Sequence, residues 1–350
     1  MITLPVRQWV SKALPVNQGP WSKPTKHVAV AYNPVDGWIY TCGGDYAHTT
    51  PAGISAESGT CEMWRYSVEL HRLEIVQPYC RPDGGLQPNG ADEVGWCYNT
   101  KANRFVMHPG FMWGHSGACP GTNMIKNQIM EFDPVASSWA LSTVPPSLRG
   151  TEGNFTQYDP VTDTLTRFCN AGPEAQSWSY VTRTWTRYKW PLPNLNFSDT
   201  GTTIDVQGRA IYFCTGNKLW RYNLDAHGIE DLGTTPQTTF AENKPVWDSI
   251  NKVLLWPCFA DTDNETTPGV QEWARMHVYH PDTRTWEVDV VSGTGVKGRH
   301  SVFDPANNCL ILAGNVWNRP SSTSIHLFRY GQSTVTKPAG ATNLIVKEDQ

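Results

Sequence analysis

The stretch Ala31-Tyr-Asn-Pro-Val-Asp-Gly-Trp-Ile-Tyr-Thr-Cys42 reads as two short strands joined by a tight turn. An aromatic ends the first strand, Asn33 opens the turn, Pro34 sets its φ, and an apolar run follows. The pattern returns as Cys97-Tyr-Asn-Thr-Lys-Ala-Asn-Arg-Phe-Val-Met-His108 and as Gln157-Tyr-Asp-Pro-Val-Thr-Asp-Thr-Leu-Thr-Arg-Phe-Cys169. Three further copies begin at Thr203-Ile-Asp205, Val246-Trp-Asp248 and Val302-Phe-Asp304. The turn residues are thus Asn33, Asn99, Asp159, Asp205, Asp248 and Asp304. Asn and Asp suit the position because their side chains bond the backbone two residues on.

A second pattern alternates with the first: Trp64-Arg-Tyr66, Met130-Glu-Phe132, Trp178-Ser-Tyr180, Trp220-Arg-Tyr222, His277-Val-Tyr279 and Leu327-Phe-Arg-Tyr330. Seven residues beyond Tyr66, Phe132, Tyr222 and Tyr279 stand Leu73, Trp139, Ile229 and Trp286; the third copy, counted from Tyr180, reaches Trp185 two residues early. Each unit therefore has four short strands, a to d, and no segment sustains a helical period. Four-stranded units recurring at roughly 50 residues predict an all-β, six-bladed propeller of antiparallel blades.

The 350 residues form one domain on this reading. Residues 1–16 are a closing strand, and the blades lie at about 25–80, 90–145, 150–192, 199–234, 242–293 and 297–332, with a tail at 333–350. Sixteen Trp, 13 Tyr and 11 Phe supply a large core. Lys+Arg of 28 against Asp+Glu of 32 argues against a sequence-specific nucleic-acid binder or a coat for anionic membranes. The N-terminus, Met1 to Trp9, has no apolar h-region, so the expectation is cytoplasmic synthesis without a signal peptide.

Segments such as Ile39-Tyr-Thr-Cys-Gly-Gly44, Phe132-Asp-Pro-Val-Ala-Ser-Ser-Trp139 and Tyr279-His-Pro-Asp-Thr-Arg-Thr-Trp286 resemble kelch repeats. In that family an apolar strand ends in a double glycine, and a Tyr-Asp-Pro turn precedes a Trp. The resemblance covers nearly the whole chain, but only Gly43-Gly44 keeps the full glycine pair.

The repeat absorbs most residues that look chemical. Strand b is expected to end at Cys42, His108, Cys169, Cys214, Cys258 and Ala313, which makes those cysteines packing residues in separate blades rather than a metal set. The nine cysteines contain no Cys-x-x-Cys pair, and neither a metal site nor a cofactor is expected. Trp139, Trp185 and Trp286 could serve as sugar platforms, but their shared repeat position favours packing.

Recognition is expected in the insertions between strands b and c, roughly 45–61, 109–127, 259–273 and 314–324. The binding candidates there are His48, Trp113, His115, Asp261, Asp263, Trp273, Trp317 and Arg319. Entrances to the inner strands should line a central channel with His27, Asp92, Glu93, Glu152, Glu242, Arg299 and His300, a mixed-sign ring.

The favoured function is a non-enzymatic scaffold that binds other proteins of an assembly through the long b–c connections, with a homo-oligomer as one form. Six-bladed rigid rings resemble parts of phage tails, including nozzle and hub proteins, so a virion component is the specific version. The alternative is a radical-copper oxidase resembling the galactose oxidase group, drawing on His27, His300, His115 and Cys119. A glycan-binding loop face is the third reading.

The last unit lacks its fourth strand. Seven residues after Tyr330 comes Lys337, followed by Pro-Ala-Gly. The missing piece sits at the other end: Arg7-Gln-Trp-Val-Ser-Lys-Ala-Leu-Pro15 reads like Ser138-Trp-Ala-Leu-Ser-Thr-Val-Pro145, strand d of unit 2. Residues 7–14 should pair onto strand c near 325–330 and place Trp9 as the outer Trp of blade 6.

Overall fold

The computed structural model describes residues 3–15, 28–42, 45–49, 55–59, 62–78, 86–88, 95–108, 124–125, 128–145, 155–169, 174–190, 201–215, 217–236, 245–259, 274–292, 300–313 and 324–331. Blade 1 consists of Ala29–Tyr32, Ile39–Cys42, Met63–Ser67 and Arg72–Gln77; blade 2 of Gly95–Asn99, Arg104–His108, Met130–Asp133 and Ser138–Leu141. Blade 3 holds Phe155–Asp159, Thr164–Cys169, Glu174–Ser179 and Thr184–Lys189; blade 4 holds Thr202–Asp205, Ala210–Thr215, Lys218–Asn223 and Ile229–Thr234. Blade 5 comprises Val246–Asp248, Val253–Phe259, Ala274–His280 and Thr285–Ser292. Blade 6 comprises His300–Asp304, Cys309–Ala313 and Ser324–Phe328, completed by Trp9–Ala13. The innermost strands neighbour one another in an unbroken cycle from blade 1 to blade 6 and back. The chain is a six-bladed β-propeller, with no helix among the described residues.

The turn residues act as the pattern requires. Asn33 accepts the backbone N–H of Val35, Asn99 that of Lys101, Asp159 that of Val161, Asp248 that of Ile250 and Asp304 that of Asn307, at 2.9–3.1 Å. Asp205 differs: its carboxylate lies over Gly208, where a Cβ would collide with it. Four residues after each of the six comes a left-handed backbone: Gly37, Asn103, Asp163, Arg209, Lys252 and Asn308, φ 49–74°. The c–d turns repeat the device at His71, Ser137, Arg183, His227 and Arg284. A non-glycine residue costs about 1 kcal/mol or more in this conformation. At four sites the side chain is taken up by the tyrosine five residues earlier: Tyr66–His71, Tyr98–Asn103, Tyr158–Asp163 and Tyr222–His227.

Each seam between adjacent blades has its own apolar core. Tyr40, Cys42 and Met63 of blade 1 meet Trp96, Phe105, Met107 and Trp139 of blade 2. Cys97 and Val106 of blade 2 meet Tyr158, Leu165 and Trp178 of blade 3, and the other four seams follow suit. Because side chains alternate along a strand, one face of each blade packs on the blade before it and the other on the blade after it.

The outer tryptophans are cross-strand partners of strand c. Trp139 pairs with Phe132, Trp185 with Trp178 and Trp286 with Tyr279, ring centroids 5.0–5.7 Å apart. This corrects two alignments. The blade 3 anchor is Trp178, not Tyr180, so its offset to Trp185 is the same seven residues. In blade 6 the anchor is Phe328, not Tyr330.

Closure runs through that anchor. Trp9 pairs with Phe328, and the ladder continues through Ser11–His326 to Ala13–Ser324. The Trp9 and Phe328 rings lie 5.2 Å apart, which makes Trp9 the repeat equivalent of Trp139. The strap is fastened on both sides: Arg7 pairs with Glu287 of blade 5 at 2.7 Å, and His71 of blade 1 bonds the Ala13 carbonyl at 2.9 Å.

Two expectations change. Register places Cys42, His108, Phe168, Cys214 and Ala313 at one site, opposite strand a. Cys169 and Cys258 fall one residue further on, because their strands hold Phe168 and Pro257 at the shared position. Cys42 and Cys214 are buried in different seams. The b–c insertion of blade 1 is more than a loop: Asp45–Thr49 and Ser55–Gly59 pair as an antiparallel hairpin. A second small sheet joins Gln87–Pro88 to Met124–Ile125 in parallel.

Candidate functional site: the axial cavity

Six inner strands leave a cavity of about 400 Å³ on the axis, to which all six blades contribute. Each inner strand is the free edge of its sheet, so its outward backbone N–H and C=O groups face this space. The rim at the hairpin end is set by the residue after each turn Asn or Asp: Pro34, Thr100, Pro160, Val206, Ser249 and Pro305. Deeper in, the wall carries Val30, Cys97, Gln157, Thr203, Ser301 and Val302. Among the described residues, no lining side chain is a carboxylate, an ammonium or a guanidinium.

Side chains stitch neighbouring inner strands together on one side. Gln157 Nε2 donates to the Thr202 carbonyl at 2.8 Å and to its hydroxyl at 3.0 Å, and Thr203 Oγ1 accepts the Trp247 N–H at 2.9 Å. The Oγ1 of Thr156, a residue only 2% exposed, has no partner among the described residues.

Behind the rim lie the turn carboxylates. Burial pushes the Asp159 carboxyl up, but hydrogen bonds from Arg209 at 2.6 Å, Thr162 and the turn amide outweigh it and hold the group below its ordinary value. Asp248 and Asp304 are fully buried, and desolvation exceeds their hydrogen bonding, so both carboxyls titrate above the usual range. Burial likewise raises the thiols of Cys97, Cys214 and Cys309, which suits packing rather than nucleophilic use.

Of the residues expected to line the channel, His300 does so: it is 7% exposed, pairs with Ala313 and contributes to the wall. His27, Asp92, Glu93, Glu152, Glu242 and Arg299 lie outside the described residues. His48 sits in the blade 1 hairpin, opposite Ala56. Trp113, His115, Cys119, Asp261, Asp263, Trp273, Trp317 and Arg319 also lie outside the described residues. No protein-family model matches the chain, and no curated protein matches it.

One feature of the wall went unread in the sequence. Behind Thr156, blade 3 holds a buried polar row in which Glu174 binds Arg187 at 2.5 Å and accepts from Gln176 at 2.8 Å, beside a fully buried Arg167. Its signal was available in the column of residues eight positions after each turn residue: Thr41, Met107, Arg167, Phe213, Trp256 and Leu312.

Proposed function

We propose that the protein is a non-catalytic, kelch-like propeller that holds a partner protein of a larger assembly on the face bearing the b–c connections. The recurring d-strand tryptophans and the Asx turns support the kelch-like placement. The supporting observation for docking is an asymmetry in connection length. In blades 3 and 4, residues 170–173 and 216–217 suffice between strands b and c. In blades 5, 6, 1 and 2 the spans are 260–273, 314–323, 43–62 and 109–129. These four blades are consecutive in the ring, so the long connections leave and re-enter the sheets along one arc. Long segments on a rigid frame are where recognition is usually built. A virion component is the specific form of this reading.

The test is co-expression with the products of neighbouring genes, followed by size exclusion and negative-stain microscopy. A complex that is lost when residues 43–61 and 109–123 are replaced by short turns, at an unchanged melting temperature, supports docking. A monodisperse monomer in the presence of every candidate contradicts it. Stoichiometric copper in the purified protein would replace it with the oxidase reading.

A further inference from the structure

A strand at the outer edge of a blade presents a row of unpaired backbone N–H and C=O groups that another chain can extend. The six outer strands differ in how they resist this. In blades 1, 4 and 5 the register of the outer pair shifts, at Met63/Trp64, Lys218/Trp220 and Met276/Val278. Such irregularities twist an edge and interrupt its run of donors and acceptors. Blades 4 and 5 add a positive φ inside the outer strand, at Gly233 and Asp289. Blade 2 ends after the four rungs of Ser138–Leu141, and blade 6 after the five of Trp9–Ala13. Blade 3 keeps none of these devices. Its Thr184–Lys189 pairs with Glu174–Ser179 through six successive rungs without a shift. This is the longest regular edge among the described residues, and no described strand pairs with its outer side.

Its charge differs as well. The outer strands of blades 1, 4 and 5 carry carboxylates bound to cations, such as Glu74 to Arg72, Asp231 to Lys218 and Glu287 to Arg7. Residues 183–189 include three cations and no carboxylate. Arg187 is engaged by Glu174 of the neighbouring strand. Arg183 and Lys189, at the two ends, are exposed and make no ion pair among the described residues. The strand is also firmly seated. Tyr188 stacks on His227 of blade 4 at 3.7 Å, and Trp185 packs on Trp178 at 5.7 Å. A preformed edge spares an incoming chain the cost of ordering it.

We propose that the outer edge of blade 3 is a peptide-binding site, where an extended acidic segment of a partner protein adds to Thr184–Lys189 as a fifth strand. Backbone hydrogen bonds hold the segment over ~20 Å, the span of six residues at the rise of an antiparallel strand. Arg183 and Lys189 select for carboxylates along its length, because opposite charges on adjacent strands attract and like charges repel. The same cations disfavour pairing of this edge with its equivalent in a second copy, which leaves an acidic strand as the matching occupant. On the other face of the strand, exposed Thr184 and Thr186 suit β-branched neighbours. The b–c connection of blade 3 is only residues 170–173, so this edge is separate from the long connections and stands or falls independently of docking there.

The experiment is fluorescence anisotropy of the full chain with a labelled, end-blocked peptide of alternating Glu and Thr, matched in length to the strand. The controls are the same peptide with Lys in place of Glu, and the Glu-Thr peptide with alternate backbone amides methylated. The wild type should bind the Glu-Thr peptide, more weakly as salt rises, and bind neither control. Arg183→Glu combined with Lys189→Glu, at an unchanged melting temperature, should weaken the Glu-Thr peptide roughly tenfold and gain the Lys-Thr peptide. Absence of Glu-Thr binding to the wild type at low salt overturns the proposal. So does equal binding of the methylated peptide, which would reduce the edge to a charged patch. A doubly reversed variant that binds like the wild type would place the peptide elsewhere and overturn it too.

Discussion

Blade 2 meets blade 1 across stacked rings and sulfur, and meets blade 3 across a seam whose upper half is polar, although both faces belong to one four-stranded sheet. On the first face Trp96 stacks on Phe105 at 4.7 Å, Tyr40 closes over Phe105 at 4.6 Å, and Cys42 lies 3.8 Å from the Met107 sulfur. On the second, Cys97 and Val106 meet Leu165 and Trp178, and beyond them stand Thr156, Arg167 and Gln176. The apolar rung six residues past each turn residue is present at every seam, as Ile39, Phe105, Leu165, Ile211, Leu254 and Leu310. The rung eight residues past it varies freely. The ring is held near the hairpin end, and the other half of each seam can diverge.

That contrast can be broken by substitution. Phe105→Ala removes a ring with no exposed surface from the dry seam and should cost about 3–5 kcal/mol in urea unfolding. A loss under 1 kcal/mol would mean the dry seam is not what holds blades 1 and 2. Trp9→Ala acts on a half-buried ring, so about 2–3 kcal/mol is expected by the same assay. In the polar seam, Gln176→Leu exchanges a hydrogen bond to the Glu174 carboxylate for apolar contact and should cost no more than about 2 kcal/mol. A larger loss would show the polar row to be structural.

A third kind of seam sharpens the comparison. His277 of blade 5 is 2% exposed; its Nδ1 accepts the Asp289 N–H at 3.0 Å, and burial lowers its proton affinity. The unfolded chain then binds a proton that the folded one resists. The His277 contribution to stability is complete above the ordinary imidazole value of 6.5 and falls away as the pH drops below it. His277→Gln should flatten the acid limb of the stability profile, and an unchanged limb would assign the dependence to other groups.

The hairpins were legible because Asn33, Asn99, Asp159, Asp248 and Asp304 do local chemistry that only a few residue types can do. Closure was legible because the Trp of residues 7–15 repeats the Trp of strand d. The anchors in blades 3 and 6 were misread by two residues because Trp178-Ser-Tyr180 and Phe328-Arg-Tyr330 each offer two aromatics of one parity. Only register separates them. Tyr330 turns out to serve the strap instead: its hydroxyl donates to Glu287 at 2.8 Å, and the Arg7 guanidinium lies over its ring. The polar row was illegible to motif reading, since Arg167 sits inside a strand with no motif around it. It becomes visible only when the repeats are stacked.

The closed ring itself rests on the N-terminal strand, and thermal unfolding of a chain lacking residues 1–15 tests that most directly. Removing the strand exposes strand c of blade 6 and opens the apolar seam that Leu4 and Val10 help to cover. The whole propeller should then melt in one cooperative transition, more than ~10 °C below the full chain. A truncated protein that unfolds at the full-length temperature would contradict closure by this strand.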